Sequence, residues 1–131
     1  MTWPTVYLAL LLSHLTGDFL LQTEWQAMNK RRGPGPDPEQ RRALTLHGLT
    51  YTAAYIPALI WLGGEVGALG ALACALAITL PHILIDDGRF LRAWLTRVKH
   101  NEAPETWLAA AVDQTFHLVC LLPVALVVAT A

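Results

Sequence analysis

Three histidine and aspartate pairs, each with its members four residues apart, stand in segments of this sequence that are otherwise strongly apolar. Residues four apart lie on the same side of a helix, so each pair can direct one imidazole and one carboxylate at the same point. Such nitrogen and oxygen donors suit zinc, manganese or iron, whereas magnesium and calcium prefer shells made of oxygen alone. The pairs are His14 with Asp18, His82 with Asp86, and Asp113 with His117.

A fourth histidine, His47, lies near the start of another apolar segment. We expect it to be a metal ligand or an acid that protonates the leaving group, and we expect His14 to be a ligand or a general base. The residues expected to be ligands outright are Asp18, His82, Asp86, Asp113 and His117.

Four further polar residues lie close enough in sequence to support such a site or to contact a substrate. Gln22 and Gln114 can orient neighbouring groups, and the hydroxyl of Tyr51 can point into the site, although core packing is also open for Tyr51. Asp87, next to Asp86, either ends its helix or supports a ligand.

The elements that must position these residues follow from composition. The chain has 131 residues, of which 54% are hydrophobic, and its mean hydropathy is +0.41. It contains four apolar stretches, each close to the roughly 20 residues that a membrane-spanning helix needs. We therefore predict an all-α polytopic membrane protein, a bundle of four transmembrane helices forming a single domain over 1–131. The predicted spans are 4–23, 43–62, 66–87 and 105–130.

All nine Lys and Arg residues lie in two connections, 24–42 and 88–104. By the positive-inside rule both connections are cytoplasmic, so both termini face outward. Within the second connection, the stretch RFLRAWLTRVK has its apolar residues on one face. It predicts a short amphipathic helix on the inner membrane surface, with a solvated link that packs loosely on the bundle as the alternative.

Burial of the carboxylates needs compensation, because a carboxylate in the middle of a membrane costs about 2.5–3.5 kcal/mol. Since every Lys and Arg lies outside the predicted spans, we expect no basic side chain to offset that cost. The remaining ways to offset the cost are protonation of the carboxylates, His–Asp pairing or a bound cation. Binding of a structural zinc ion contributes about 10–16 kcal/mol of free energy. We expect one or two divalent ions, zinc first and manganese or iron as alternatives; a proton relay, an ion path and purely structural hydrogen bonds stay open.

The run SHLTGDFLLQTEWQAMNK, with HILID and DQTFH further along, resembles a bacterial integral-membrane family of unknown function. Members of that family open with His-Leu-x-Gly-Asp-Phe-x-x-Gln-Thr, and the resemblance covers nearly the whole chain. Members often carry a basic residue shortly after the aspartate of the third span, where this chain has Asp87-Gly88-Arg89. The resemblance implies these site residues: His14, Gly17, Asp18, Phe19, Gln22, His47, His82, Asp86, Asp113, Gln114 and His117.

A looser similarity, to small membrane-bound metal-dependent hydrolases that combine intramembrane His and Asp residues, is an analogy only. Together with the histidine and aspartate donors, this similarity implies a metal-dependent intramembrane hydrolase that acts on a lipid or phosphoester-type substrate at the cytoplasmic half of the membrane. The alternatives are a transporter or transporter subunit that conducts protons or divalent metal ions, and a membrane scaffold with a structural metal. We expect the bacterial cytoplasmic membrane as location and membrane lipids as partners. A homo-oligomer is left open, and nucleic-acid motifs are absent.

Overall fold

A computed structural model describes residues 1–130, and these residues form helices joined by short connections. Three helices are long and apolar enough to cross a membrane, namely Trp3–Leu21, Ile56–Asp86 and Thr106–Thr130, which suggests a membrane protein. Ala131, the last residue of the predicted domain 1–131, lies outside the described residues. The elements are α1 (Trp3–Leu15), a π-helical segment (Thr16–Leu21), α2 (Glu24–Asn29), α3 (Pro38–Ala54), α4 (Ile56–Asp86), α5 (Arg89–Arg97) and α6 (Thr106–Thr130).

The first long helix changes from α to π winding at Thr16. Short π segments add a residue to a turn and occur often at functional sites, because they re-aim the side chains beside them. Here the π segment carries Asp18, and the helix ends where Gln22 becomes extended. Thr23 then begins α2 with a capping box, in which its hydroxyl accepts from the Gln26 amide and the Gln26 side chain accepts from the Thr23 amide. The predicted connection 24–42 therefore contains a helix.

The second predicted span, 43–62, is divided between two helices. α3 begins at Pro38, with Asp37 accepting hydrogen bonds from the amides of Glu39 and Gln40. It ends at Ala54 because Pro57 has no amide hydrogen to donate and its ring would clash with the carbonyl of the residue four positions earlier. The chain continues at once as α4.

Helix α4 is interrupted at Gly67, whose φ of 75° and ψ of 173° are not helical. A positive φ is readily available to glycine, which has no Cβ. The chain folds back at Gly67. This reversal is shown by residues before and after it that meet, since the hydroxyls of Thr52 and Thr79 are 2.9 Å apart. Further along, Ile83 packs on Gly48. The residues before and after Gly67 are therefore antiparallel neighbours.

The amphipathic segment in the second connection forms α5, as its pattern predicts. Leu91 and Leu95 are buried against the bundle, and the rings of Phe90 and Trp94 meet Phe116 of α6 edge to face. This packing favours the amphipathic helix over a loose link.

The interior is divided into an apolar part and a polar part. The apolar part, referred to below as the apolar core, consists of Val6, Leu10, Tyr51, Tyr55, Leu62, Cys74, Ile78, Leu121, Val124, Ala125 and Val128. The polar part contains most of the predicted site residues, whereas many large apolar side chains lie on the outside, among them Leu20, Leu69 and Val127. An apolar exterior around buried ionisable groups is the arrangement expected for helices in lipid.

Gly17 allows the π segment to approach α3, since a Cβ at this position would lie 2.7 Å from Cδ2 of Tyr51 and 3.2 Å from its backbone Cα. We expect Gly17→Ala to lower the free energy of unfolding by about 1–3 kcal/mol through overpacking. The matched control is Gly64→Ala, because a Cβ at Gly64 meets nothing within 4 Å. Thermal unfolding in detergent measures both variants, and equal midpoints would contradict the close packing at Gly17.

Candidate metal centre

The polar part of the interior is built by residues from α1, the π segment, α3, α4 and α6. Of the histidines there, His14 and His47 are fully buried and His82 and His117 are 2% exposed. Asp86 is also 2% exposed and Asp18 8%. Helices that are far apart in sequence therefore bury their imidazoles and carboxylates in the same interior region. The four-residue spacing predicts that the members of a pair lie on the same side of their helix.

Three donor atoms form the centre of this cluster. Oδ2 of Asp86 lies 2.9 Å from Nε2 of His47 and 3.0 Å from Nε2 of His82, and the two Nε2 atoms are 3.0 Å apart. Neither oxygen of Asp86 has a hydrogen-bond partner of proper geometry, although the nitrogens are close. An ion about 2.1 Å from each corner of this triangle would see neighbouring donors about 90° apart, which suits octahedral coordination.

Asp18 and His117 stand beside the triangle. Oδ1 of Asp18 is 3.3 Å from Nε2 of His47 and has no hydrogen-bond partner. Nδ1 of His117 donates to the backbone carbonyl of Asp113 at 2.9 Å, so the lone pair is on Nε2, which is unpartnered and 3.6 Å from Oδ1 of Asp86. A histidine held through one nitrogen with the other free is typical of metal ligands.

His14 is held by the protein through both nitrogens. The carboxylate of Asp18 can only accept, so the amide nitrogen of Gln114 donates to its Oδ2 at 3.2 Å. The amide oxygen of Gln114 therefore faces His14 and accepts from its Nε2 at 2.9 Å. Nδ1 of His14 therefore accepts from the hydroxyl of Tyr51 at 3.1 Å. The hydroxyl of Tyr55, 2.7 Å from that of Tyr51, completes a chain of hydrogen bonds that ends at Asp18.

Lys30 reaches the cluster from the end of α2. Its ammonium is 2.8 Å from Oδ1 of Asp86 and 3.3 Å from Nε2 of His47. The expectation that no basic side chain offsets the buried carboxylates is therefore wrong. Lys30 lies outside the apolar stretches in sequence, but α2 turns back and carries it to the site.

The donor set fits a divalent ion in most respects. Two imidazole nitrogens and a carboxylate oxygen converge, with Asp18 and His117 at hand to complete a coordination shell. A histidine that binds a metal usually donates a hydrogen bond from its other ring nitrogen, which fixes the orientation of the ring. Within the described residues, Nδ1 of His47 and Nδ1 of His82 have no such partner. For His82, the ring of Tyr51 takes part of that role, since it stacks on the imidazole at 3.4 Å between centroids.

A family model described as "Protein of unknown function (DUF3307)" matches residues 6–131. The chain belongs to the DUF3307 family. No curated protein and no solved structure matches it. The match confirms the resemblance to a family of unknown function. That description states no activity.

Three of the predicted site residues make no hydrogen bond to the triangle of His47, His82 and Asp86 within the described residues. Oδ2 of Asp113 is 3.7 Å from Nδ1 of His117, the nitrogen that faces away from Asp86, so its position suits orienting His117 as well as binding an ion. Gln22 makes no hydrogen bond through its buried amide nitrogen. Asp87 contacts Nε of Arg89 at 3.2 Å and lies outside the cluster.

Two residues of the site were missed by sequence reasoning. Tyr55 is not among the predicted site residues, yet its hydroxyl joins the chain of hydrogen bonds that leads to Asp18. Its four-residue spacing from Tyr51 is the available signal in the sequence. Nothing in the local sequence indicates that Lys30 reaches the site, because the return of α2 toward α3 and α4 depends on tertiary packing.

Lys30→Met removes the ammonium that now neutralises Asp86. In the presence of a chelator we expect the free energy of unfolding to fall by about 3–5 kcal/mol, since a buried carboxylate loses its partner. With zinc added, we expect the variant to bind the ion more tightly than the unaltered chain, because the ion no longer competes with Lys30. Zinc titration and thermal unfolding measure the two effects, and Lys99→Met, at an exposed position, is the control. Weaker zinc binding by Lys30→Met would contradict the competition.

Proposed function

We propose that this protein is a metal-dependent hydrolase of a membrane, with its site in the cytoplasmic half and a lipid or phosphoester-type substrate. The observation that carries the proposal is the buried triangle of His47, His82 and Asp86, with edges of 2.9–3.0 Å. An ion held there would polarise a phosphoryl or acyl oxygen of the substrate and activate a water molecule.

Membrane insertion as a bundle of four crossings is part of the proposal. It is supported by the three long apolar helices, by the return of the chain at Gly67 within α4, and by the exposed apolar side chains. The basic residues of 24–42 and 88–104 favour a cytoplasmic location for these connections, with both termini outside. A bacterial cytoplasmic membrane is the proposed location, with membrane lipids as partners.

The roles of the residues follow from their contacts. His47, His82 and Asp86 would hold the ion, and Asp18 and His117 would complete its coordination. His14 orients Asp18 through Gln114, with both its nitrogens engaged, so it acts as a positioning residue. Zinc suits the two imidazoles and the carboxylate by donor type, and donors near 90° apart suit octahedral manganese or iron. If a second ion is bound, Asp86, Asp113 and His117 would hold it, and His117 would then not complete the coordination of the first.

The contacts of Lys30 disfavour a purely structural metal. Its ammonium already neutralises Asp86, so the fold has a way to compensate the carboxylate without an ion. A structural ion would be needed for folding, whereas an ion that replaces Lys30 frees a positive charge beside the site. That charge is suited to an anionic substrate or leaving group.

A transporter is disfavoured by the path of the hydrogen bonds. The chain from Asp18 passes through Gln114, His14 and Tyr51 and ends at Tyr55, whose surroundings form the apolar core. Protons or ions moving across the protein need polar groups on both sides of the site. Within the described residues, the chain leads into apolar side chains instead.

Hydrolysis is tested by incubating the purified protein with phospholipid and pyrophosphate-lipid mixtures and measuring release of phosphate or headgroup. We expect metal-dependent turnover that a chelator stops, and a loss of at least about 100-fold in Asp86→Asn and in His117→Ala, because each removes a proposed ligand. His100→Ala is the control, since His100 is an exposed histidine outside the site. Metal-stimulated proton flux in liposomes without any turnover would contradict hydrolysis and favour transport.

A further inference from the structure

A cavity of about 530 Å³ lies at the junction of α4, α5 and the connection after α2. We refer to it as the arginine cavity, because five arginines line it: Arg31, Arg32, Arg89, Arg92 and Arg97. Asn101 and Thr96 add neutral polar groups to its wall. Its volume is in the range of about 300–1,000 Å³ that is usual for small-molecule sites.

The backbone is specially arranged to bring these arginines together. The amide of Arg32 donates to the carbonyl of Asp87 at 2.8 Å, which ties the connection after α2 to the end of α4. Arg32 has a φ of 61°, a conformation that costs energy for a residue with a side chain. Gly88 has a φ of 78°, which glycine adopts readily, and the side chain of Arg31 lies beside it at ordinary contact distance.

The arginine cavity adjoins the metal centre through two pairs of consecutive residues. Lys30 and Asp86 belong to the cluster, whereas the next residues in each segment, Arg31 and Asp87, line the cavity. The cavity and the cluster are therefore built in part from neighbouring residues of the same two segments.

The charges around the cavity are not balanced. Among the described residues, two acidic ones line it, Asp87 and Glu102, and Arg89 is already paired with Asp87 at 3.2 Å. The positive-inside rule requires basic residues in these connections, but it does not require five arginines to line the same cavity. Because the five arginines are exposed, solvent screens their mutual repulsion, and a bound anion would offset the remaining excess of positive charge.

We propose that the arginine cavity binds the phosphate group of the substrate, either a phosphate monoester or a pyrophosphate. The guanidinium group presents paired donors that match phosphate oxygens, whereas simple carboxylates would occupy fewer of the five arginines. The inference rests on the proposed function for the role of the neighbouring ion, but binding in the cavity does not require that ion. The phosphate belongs either to a lipid headgroup or to a soluble phosphate compound.

The test measures binding to the full-length protein in detergent with EDTA present, so that a metal ion cannot hold the phosphate. Calorimetric titration with inorganic pyrophosphate examines the soluble source, and binding to nanodiscs that contain phosphatidic acid, against phosphatidylcholine alone, examines the lipid source. The double variant Arg92→Gln with Arg97→Gln removes two exposed arginines of the cavity. Arg42→Gln is the matched control, because Arg42 lies over the ring of Trp25, away from the cavity.

We expect at least one probe to bind the unaltered chain, the double variant to bind it at least about tenfold more weakly, and Arg42→Gln to bind it within about twofold. Binding of phosphatidic acid alone identifies a lipid headgroup, and binding of pyrophosphate identifies a soluble phosphate. Absence of binding by both probes, or equal affinity in the double variant and the unaltered chain, would overturn the proposal. Replacing both arginines by lysine keeps the charge and is expected to restore part of the affinity.

The binding test of the arginine cavity and the test of hydrolysis can fail independently of each other. Phosphate binding that depends on the arginines, in a protein that never binds a divalent ion, would leave the cavity established and remove the hydrolase. Metal binding and turnover that do not change in the double variant would remove the cavity and leave the hydrolase.

Discussion

Two carboxylates buried among apolar helices must be neutralised, and the rest of this structure is arranged around that need. Asp18 and Asp86 lie less than 10% exposed in the interior. Imidazoles from α3, α4 and α6, an ammonium from the end of α2 and an amide from α6 converge on them. Each of these groups alone would cost free energy to bury; together they compensate each other, and several donor atoms remain free for a cation.

The fold supplies the precision that such a cluster needs. The π segment turns Asp18 toward α3, and Gly17 lets that segment lie against Tyr51. The ring of Tyr51 in turn stacks on His82, while its hydroxyl holds His14. The same few side chains therefore join three helices and fix the directions of the imidazoles, as preorganised sites require. In this chain His14, Gly17 and Asp18 of the run HLTGD each make one of these contacts.

Sequence reasoning located the cluster because helical spacing is a local property. The pairs at four-residue spacing and the amphipathic pattern of α5 depend on neighbours in the chain. The structure contains α5 and places both members of the pairs His14/Asp18 and His82/Asp86 in the cluster. The position of Lys30 and the division of the second apolar stretch at Tyr55 were not foreseen. The first depends on how α2 packs after its capping box, and the second on the effect of Pro57 on the preceding turn. The gathering of arginines also depends on tertiary contacts, notably the bond from Arg32 to Asp87.

The proposed cation site and the proposed anion cavity are neighbours, since Lys30 contacts Asp86 while the next residues, Arg31 and Asp87, line the cavity. The most direct test of the central claim is a crystal structure of the protein grown with zinc, with anomalous scattering recorded at the zinc edge. We predict a peak about 2.0–2.2 Å from Nε2 of His47, Nε2 of His82 and an oxygen of Asp86, with the ammonium of Lys30 moved away from Asp86. A map in which Lys30 still contacts Asp86 and no peak lies among these three residues would contradict the account.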